Sequence, residues 1–340
     1  MGSRRVFLTG ASGFIGGHVL RALLAGGYEV RALARDGEAA SRVGDAEVIL
    51  GDLGHPGALV RSMAGCDSLI HCAALYSFAP RDRAALRAVN VDGTAGLLAA
   101  ARLAGVERAV VTGSAGTVGP AGEDHLPDER DHAADQARSA YHRSKHEQER
   151  AALAARVPAV LVLPTSTVGP GDRKPTPTGQ MIVEFARGRV FAAPPPRGGL
   201  NLVAVEDVAR AHLLALERGR PRTRYLVGGE NLSLDRVWQL LAEVTGRRPP
   251  GWRIPYPVAL WAGSADELRC RLSPRARPRV PLEGVRMSTQ MMHVDCTRAR
   301  VDLGLEPGSV RDALARAVSW YREHGYLSAR SPGHHAPAHH

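Results

Sequence analysis

The sequence predicts an α/β protein: a Rossmann-type, doubly wound parallel sheet with a smaller C-terminal lobe. Up to about residue 165, short apolar runs alternate with segments of helical period. Strict strand–helix–strand succession requires right-handed crossovers and a parallel sheet covered on both faces. Three glycines, Gly10, Gly13 and Gly16, also separate the first apolar run from the first helical segment. Both observations are typical of this fold class.

The predicted strands are short apolar runs, and the predicted helices lie between them. Strands are expected in "RVFLTG", "YEVRALAR", "AEVILGDL", "SLIHCAA", "RAVVTGSAG" and "AVLVLPTSTVG", and helices in "HVLRALLAGG", "ALVRSMAGC", "VNVDGTAGLLAAARLAG" and "YHRSKHEQERAALAA". After residue 165 proline and glycine interrupt the alternation, although "LNLVAVEDVARAHLLALERG" and "YLVGGENLSLDRVWQLLAEVTG" return to a strand followed by a helix. "SVRDALARAVSWYREHGY" predicts the last helix.

Composition restricts the classes of protein that the chain can belong to. Its 340 residues are 44% apolar, and no apolar run approaches the roughly 20 residues of a membrane-spanning helix. The N-terminus passes directly into the first predicted strand and leaves no room for a signal peptide, so we expect a cytoplasmic protein. The four cysteines lack C-x-x-C spacing, so neither a disulfide framework nor a metal site is expected. The net charge of +10 is spread along the chain without an aromatic-interleaved basic stripe, so no nucleic-acid partner is expected.

The glycine turn suits a dinucleotide. Glycines between a strand and a helix let the backbone turn sharply and let a pyrophosphate approach the helix N-terminus. The G-x-x-G-x-x-G spacing is one residue wider than the usual fingerprint. A glycine triplet alone is weak support, because small-residue turns are common in α/β proteins.

Tyr141 and Lys145 are the strongest chemical signal in the sequence. They are four residues apart in a predicted helix and therefore share a face. A cation beside a phenol lowers the phenol pKa toward a value useful for proton transfer. The alternative is an exposed polar face, but Lys145 is one of only two lysines among 44 basic residues, which favours a need for an amine. Ser114, at the end of a predicted strand, could orient a substrate carbonyl toward Tyr141; a turn serine is the alternative.

Together these residues resemble the extended short-chain dehydrogenase/reductase family, and the resemblance covers residues 4 to about 326. It is closest to the hopanoid-associated sugar epimerases, with dihydroflavonol-reductase-like enzymes next, through "VGPGDRKPTPTG", "GLNLVAVEDVARAHLLALERG" and "YLVGGENLSL". One departure is Val118, where the family often has an aromatic residue; it puts nucleotide-sugar contacts in doubt but not the hydride chemistry.

The resemblance implies roles for individual residues. It implies a catalytic set of Ser114, Tyr141 and Lys145. The cofactor would contact Gly10, Ser12, Gly13, Phe14, Ile15, Gly16, Arg35, Asp52, Leu53, Ala73, Ala74, Asn90, Tyr141, Lys145 and Pro164, with Asp52 meeting the adenine. Substrate would contact Ser114, Thr165, Ser166, Thr167 and Lys174.

The predicted domains follow from the same pattern. Residues 1–164 with about 200–228 would form the dinucleotide-binding Rossmann domain, and about 165–199 with 229–327 the substrate-binding lobe. The tail, 328–340, has no apolar periodicity and is expected to be disordered.

The form of the cofactor depends on the residue that ends the second strand. An acidic residue there would bind the ribose 2′-hydroxyl and select NAD. The position falls at Ala34, followed by Arg35, which can grip a 2′-phosphate in bidentate fashion. We therefore favour NADP(H) over NAD(H), although Asp36 is close enough to compete for the position.

Two enzyme functions and a surface hypothesis follow. An NADP(H) preference favours a reductase that acts on a carbonyl of a sugar or sugar-like substrate, either free or hopanoid-linked. The resemblance favours instead an epimerase of a nucleotide-sugar or lipid-linked sugar, with tightly bound NAD. A non-catalytic protein is disfavoured because Ser114, Tyr141 and Lys145 are all present. A homodimer is left open.

Segment 249–285 combines aromatic residues with arginines, a composition that suits peripheral contact with the inner face of a membrane. The alternative is a proline-rich lid over a soluble substrate, which is favoured because no clean amphipathic helix is visible there.

Overall fold

The computed structural model describes residues 4–122, 124–133, 139–190, 192–193, 198–273, 282, 285 and 288–328. The predicted disordered tail lies outside the described residues from residue 329 onward. The strands are β1 (Arg5–Thr9), β2 (Glu29–Ala34), β3 (Glu47–Leu50), β4 (Ser68–His71), β5 (Arg108–Thr112), β6 (Ala159–Pro164), β7 (Ser166–Val168), β8 (Ala192–Ala193), β9 (Gly199–Ala204), β10 (Arg224–Val227), β11 (Glu230–Ser233), β12 (Trp252–Arg253) and β13 (Met291–Met292). The helices are α1 (Phe14–Ala25), α2 (Gly37–Ala40), α3 (Pro56–Ser62), α4 (Arg83–Leu86), α5 (Gly93–Leu103), α6 (Ala140–Ala154), α7 (Pro177–Ala186), α8 (Val205–Arg218), α9 (Leu234–Thr245), α10 (Tyr256–Leu272), α11 (Thr297–Leu303) and α12 (Val310–Glu323).

The main sheet has seven strands in the order β3-β2-β1-β4-β5-β6-β10. Each neighbouring pair is parallel, as in the pairing of Val6 with Val30 on one side of β1 and with Ser68 on the other. The strand order reverses between β1 and β4, which makes that point the topological switch of a doubly wound fold. The predicted fold class is confirmed.

Two apolar clusters cover the two faces of this sheet. Successive side chains of a strand point to opposite faces, so Val6 and Leu8 join one cluster and Phe7 joins the other. The first cluster includes residues of α1 and α8, and the second includes residues of α3 and α5. The strands that alternate with helices along the sequence therefore form the sheet, and the helices form the layers that cover its two faces.

The chain divides into two compact units. The first contains Met1–Thr167, Asn201–Asn231 and Met291–Gly308, and the second contains Val168–Leu200, Leu232–Gln290 and Ser309–His340. The sequence prediction placed 291–308 with the substrate-binding lobe, but in the structure these residues cluster with the first unit. Among the described residues, no helix is both long enough and apolar enough to cross a bilayer.

The second unit is held by a buried polar contact and an aromatic stack. Tyr321 of α12 donates a hydrogen bond of 3.0 Å to Asp172, which also accepts from the backbone N–H of Thr176 at 2.8 Å. Phe185 of α7 stacks on Trp238 of α9 with ring centroids 5.7 Å apart. These contacts link the segment "GDRKPT" and α7 to the two later helices of the unit.

Candidate active site

Loops at the carboxyl edge of the main sheet bring most of the predicted site residues to one region. Parallel strands end at the same edge, so residues that follow different strands become neighbours. Gly10 follows β1, Arg35 follows β2, Ala73 follows β4, Ser114 follows β5 and Thr165 follows β6. This edge is where a doubly wound fold binds its ligand.

The glycine turn requires glycine for close backbone packing. Gly10 has a φ of +76°, and a Cβ on it would lie 2.6 Å from the backbone nitrogen of Ala73. A Cβ on Gly16 would lie 2.1 Å from the carbonyl oxygen of Gly10. Gly13 precedes α1 and donates its N–H to the Gly10 carbonyl at 2.9 Å. The turn folds β1 tightly onto α1 and also against the end of β4.

The N-terminus of α1 is open to an anion. Gly13 occupies the N-cap position without a side-chain cap, and it is exposed. Ser12, Phe14 and Ile15, the other predicted cofactor residues of this turn, are all half-buried. Free backbone N–H groups at the positive end of a 12-residue helix form an anion site.

Ser114 and Tyr141 are joined by a side-chain hydrogen bond. Ser114 lies two residues beyond the end of β5 and caps a short 3-10 helix, where its Oγ accepts from the N–H of Gly116 at 3.2 Å. Tyr141 is the second residue of α6, a helix that Ser139 caps by accepting from the N–H of His142. The two hydroxyl groups that the sequence predicted to act together are therefore in contact.

The pKa of Tyr141 moves in the direction opposite to the one expected from the sequence. Burial raises the pKa of Tyr141 to about 12, and the hydrogen bond from Ser114 lowers it by less than burial raises it. Lys145 does not lower the pKa of Tyr141, because its ammonium group donates to Thr112 and Gln148 instead. Tyr141 is therefore a protonated phenol at neutral pH, which makes it a proton donor in its resting form.

Lys145 is buried in a polar network. It is 2% exposed, and its Nζ donates to the carbonyl oxygen of Thr112 at 2.9 Å and to Oε1 of Gln148. Burial lowers the pKa of Lys145 to about 8, while Glu149 and Cys72 act to raise it. An ammonium group has three donors, and these two contacts use two of them.

Gln148 extends this network away from Lys145 to the first strand. Its Nε2 donates to Oγ1 of Thr94 at 3.1 Å, and Thr94 contacts Nε2 of His71 at 2.8 Å. Nδ1 of His71 contacts Oγ1 of Thr9 at 2.7 Å. Burial lowers the pKa of His71 to about 3, with a further contribution from Lys145, so the imidazole is neutral and can donate one hydrogen bond and accept the other.

Asn90 supports the site through the backbone. It is fully buried in a π-helical segment, Arg87–Asp92. Its Oδ1 accepts from the N–H of Leu75 at 2.7 Å, and its Nδ2 donates to the Leu75 carbonyl at 2.9 Å and to Ser144 Oγ at 3.0 Å. Ser144 in turn donates to the carbonyl of Tyr141 at 2.7 Å. Asn90 therefore fixes the loop after β4 to the first turn of α6.

The residues beyond β2 and β3 differ in whether their side chains already have a partner. Arg35 is exposed and makes no hydrogen bond or ion pair with another described residue. Asp36, its competitor, caps α2 by accepting from the N–H of Ala39 at 2.7 Å. Asp52 is exposed and accepts from the N–H of Gly54 at 2.5 Å, while Leu53 is half-buried. The Asp36 carboxylate is thus already occupied, whereas the Arg35 guanidinium is not.

The remaining predicted residues occupy different surroundings. The N–H of Ala73 donates to Oγ1 of Thr9 at 3.3 Å, and Ala74 is exposed. Pro164 is buried at the end of β6, and the three residues after it, Thr165, Ser166 and Thr167, are half-buried. Lys174 is exposed and belongs to the second unit. Val118 is 4% exposed within an apolar cluster, so it does not line the edge of the sheet.

Two aromatic side chains form a wall beside Tyr141 that the sequence did not predict. The ring of Tyr76 lies 4.5 Å from the Tyr141 ring between centroids, and the Phe78 ring lies 5.7 Å from it. Tyr76 is 46% exposed. The signal was "YSF", two aromatic residues within three positions of a chain that is only 5% aromatic.

A buried ion pair joins α6 to β10. Glu149 of α6 and Arg224 of β10 approach to 3.1 Å, and both are almost fully buried. Burial raises the pKa of Glu149, and Arg224, Thr117 and Lys145 act against that rise. Arg224 also donates to the carbonyl oxygens of Glu129 and Asp131 at 2.8 Å and 2.9 Å. This pair ties α6 to the last strand of the sheet.

Comparison with known proteins gives close full-length relatives. A candidate dihydroflavonol 4-reductase of Synechocystis sp. is 39% identical over 95% of this chain and 96% of its own length. The sterol demethylase protein B of Methylococcus capsulatus is 36% identical over 94% of this chain and 99% of its own. The crystal structure of gox2253 is 34% identical and superposes with a TM-score of 0.83, covering 96% of this chain and 100% of that one.

One solved relative carries both a cofactor and a sugar nucleotide. MoeE5 in complex with UDP-glucuronic acid and NAD is 26% identical, with a TM-score of 0.70 over 95% of this chain and 100% of its own. Residues 6–228 match the model of the NAD dependent epimerase/dehydratase family. This match covers all of the main sheet except Arg5 of β1, and it includes every predicted catalytic residue. The chain is an enzyme of the NAD-dependent epimerase/dehydratase family, within the extended short-chain dehydrogenases/reductases.

Proposed function

We propose that this enzyme is an NADP(H)-dependent reductase that converts a carbonyl group of a sugar or sugar-like molecule, free or lipid-linked, into an alcohol. The observation that carries the proposal is the hydrogen-bonded pair Ser114 and Tyr141, with Tyr141 protonated and set against an aromatic wall. Tyr141 holds its proton at neutral pH, which is the protonation state that the reducing direction requires of a proton donor. Reductase function also agrees with the dihydroflavonol 4-reductase name of a relative that is 39% identical.

The described residues fit a dinucleotide cofactor, which would supply the hydride. The N–H groups at the start of α1 would bind its pyrophosphate, since they have no side-chain cap. Arg35 would bind the 2′-phosphate of NADPH, since it is exposed and has no partner among the described residues. The third donor of Lys145 would bind a ribose hydroxyl, and Ala73, Asp52 and Pro164 would line the site.

Ser114 and Tyr141 would bind the substrate oxygen and supply its proton. Ser114 and Tyr141 would hold the substrate oxygen through their hydroxyl groups. As the carbonyl carbon is reduced, the proton on Oη of Tyr141 would pass to that oxygen. The hydrogen bond from Ser114 would stabilise the phenolate that remains, because hydrogen bonds to a charged form favour it.

Tyr76 and Phe78 would give the site its substrate preference. Aromatic faces pack against flat or ring-shaped groups, and these two rings pack against the ring of Tyr141, whose hydroxyl would donate the proton. Thr165, Ser166 and Thr167 would add hydroxyl groups for a polar ring. A sugar ring and a polycyclic lipid both present such a combination of ring face and oxygen.

Tyr141→Phe tests the chemical role. The variant should keep the fold and the affinity for NADPH and lose turnover by at least about a hundredfold, the usual contribution of a general acid. Oxidation of NADPH by a panel that includes a nucleotide-linked keto sugar and a polycyclic ketone measures it. Tyr76→Phe removes the neighbouring hydroxyl but keeps the ring, and should retain most of the activity. Unchanged turnover in Tyr141→Phe would remove Tyr141 from the mechanism.

Sugar epimerisation with tightly bound NAD is the second candidate. It is favoured by the relationship to MoeE5, whose complex contains NAD and UDP-glucuronic acid. Identification of the nucleotide that co-purifies separates the two functions. Tightly bound NAD, released only on denaturation, supports the epimerase, whereas exchangeable NADPH supports the reductase. Either outcome is consistent with the cytoplasmic location that we propose.

A further inference from the structure

Helix α10 carries an apolar stripe on its exposed face. Val258, Trp261, Leu268 and Leu272 are 54%, 75%, 57% and 78% exposed. With Ile254 before the helix and Ala265 within it, the positions are separated alternately by four and three residues, which places them along one side of a helix. The sequence suggested no clean amphipathic helix here, because the side chains between the stripe positions are also largely apolar.

The opposite face of α10 is already committed to the second unit. Gly263 and Asp266 are buried. A Cβ on Gly263 would lie 3.2 Å from atoms of Leu282 and 3.5 Å from Val285. The helix is therefore anchored through Gly263, and the stripe faces away from the chain's own packing.

Exposed apolar side chains are concentrated at the stripe and are not spread evenly over the described residues. Eleven large apolar side chains are exposed among the described residues, and six of them lie between Trp252 and Leu272. Trp252, at 79% exposed, extends the patch beyond the helix. Single exposed apolar residues need no explanation, but a contiguous patch marks an interaction surface.

The charge of the sequence segment that contains the stripe favours an anionic partner. In the sequence, residues 247–286 contain nine arginines and three carboxylates, a net charge of +6 within a chain of net charge +10. The charge is thus less evenly spread than the overall composition suggests. Arg253 pairs with Asp235 at 2.6 Å, and Arg269 pairs with Asp266 at 2.7 Å. Arg275, Arg277 and Arg279 lie outside the described residues.

We infer that the α10 face docks on an anionic lipid surface. Two copies of the chain would bring the same positive segment against itself, which disfavours self-association through this face. An anionic bilayer offers negative headgroups to the arginines and an apolar interior to the stripe, the combination that holds an amphipathic helix in the interface plane. Tryptophan suits the boundary between the two layers. The inference is independent of the proposed reductase chemistry.

Vesicle flotation tests it with the full chain. The protein is mixed with vesicles of phosphatidylglycerol and phosphatidylcholine, or of phosphatidylcholine alone, at low and high salt. We expect flotation only with the anionic vesicles, and loss of it at high salt, because salt screens the attraction. The double variant Trp261→Gln, Leu268→Gln should lose affinity by at least about tenfold, since it removes two large apolar side chains from the stripe.

Two controls make the outcome decisive. Leu103→Gln and Val301→Gln change side chains of similar exposure, 76% and 75%, in the first unit and should float like the wild type. A circular dichroism melt establishes that the double variant folds. Absence of flotation with wild type at low salt overturns the inference, and so does equal flotation with both vesicle types. Dimerisation in sedimentation velocity that only the double variant abolishes would assign the stripe to a second copy instead.

Discussion

The hydrogen bond between Gln148 and Lys145 should control whether the lysine is charged near neutral pH. Oε1 of Gln148 accepts from the ammonium group of Lys145, and both side chains are almost fully buried. Gln148→Leu removes the acceptor and leaves the contact with the Thr112 carbonyl in place. Gln148→Glu keeps the shape and puts a negative charge on the same atom. The two substitutions should shift the pKa of Lys145 in opposite directions.

The size of the shift follows from the geometry. A hydrogen bond to a charged group stabilises it by about 1.5–3 kcal/mol, and one pKa unit corresponds to about 1.4 kcal/mol. Gln148→Leu should therefore lower the pKa of Lys145 by about one to two units. Lys145 would then be largely neutral at pH 8. Gln148→Glu should keep it charged well above pH 8.

The chain allows a direct measurement because it contains only two lysines, Lys145 and Lys174. Protein labelled with 13C-lysine gives two ε-carbon signals, and the chemical shift of each follows the protonation of its own amine. A Lys174→Arg variant assigns them. In the wild type, the Lys145 signal should titrate with a midpoint near pH 8.

A matched control lies on the same helix. Glu147→Gln alters a half-buried residue that pairs with Arg87 at 2.8 Å, one position before Gln148, and should leave the Lys145 midpoint unchanged. The Lys174 signal, from the second unit, should respond identically in every variant. Wild-type midpoints for Lys145 in both Gln148→Leu and Gln148→Glu would refute this role of the hydrogen bond. A shift in the same direction for both would assign the effect to repacking and not to the hydrogen bond.

Three further predictions concern the turn, the cofactor and the buried ion pair. Gly16→Ala should lower the free energy of unfolding by about 1–3 kcal/mol in urea titration, because its Cβ would lie 2.1 Å from a backbone oxygen. Gly57→Ala is the control: Gly57 lies in α3 with open space around it, and alanine there should raise the free energy of unfolding by up to about 1 kcal/mol. Arg35→Ala should weaken NADPH binding by about tenfold or more and leave NADH binding nearly unchanged in fluorescence titration; equal losses would contradict a 2′-phosphate contact. Arg224→Met should lower the free energy of unfolding by about 3–5 kcal/mol at pH 8, because it leaves the buried Glu149 carboxylate without its partner. The loss should be smaller at pH 5, since an acid whose folded pKa is raised contributes stability that is lost as pH rises. An equal loss at both pH values would exclude the Glu149 charge as the cause.

The local signals in the sequence were strong where one residue type has no substitute. The spacing of the three glycines predicted a tight turn, and the structure shows why: Gly10 has a positive φ, and Gly16 meets the Gly10 carbonyl. The four-residue spacing of Tyr141 and Lys145 placed both on one helix. The assignment of residues 291–308 to the lobe differed from the structure because those residues contribute to the core of the first unit through packing that is distant in sequence.

Several properties of the site depended on groups far apart in the chain. The pKa of Tyr141 was expected to fall, yet burial raises it, because desolvation outweighs the hydrogen bond from Ser114 and Lys145 points to Thr112 and Gln148. The aromatic wall of Tyr76 was not predicted, because the loop after β4 has no periodicity that fixes where a ring points.

The sequence by itself determined the class of fold, the glycine turn and the residue types of the proposed catalytic set, because periodicity, backbone freedom and chemical identity are local properties. Only the tertiary structure decided which side chains meet and which remain exposed. It buried Lys145 among Thr112 and Gln148, occupied the Asp36 carboxylate with a helix cap, and left the apolar stripe of α10 facing outward. The physical reason is that burial, desolvation and hydrogen-bond partners depend on distances between residues that are remote along the chain.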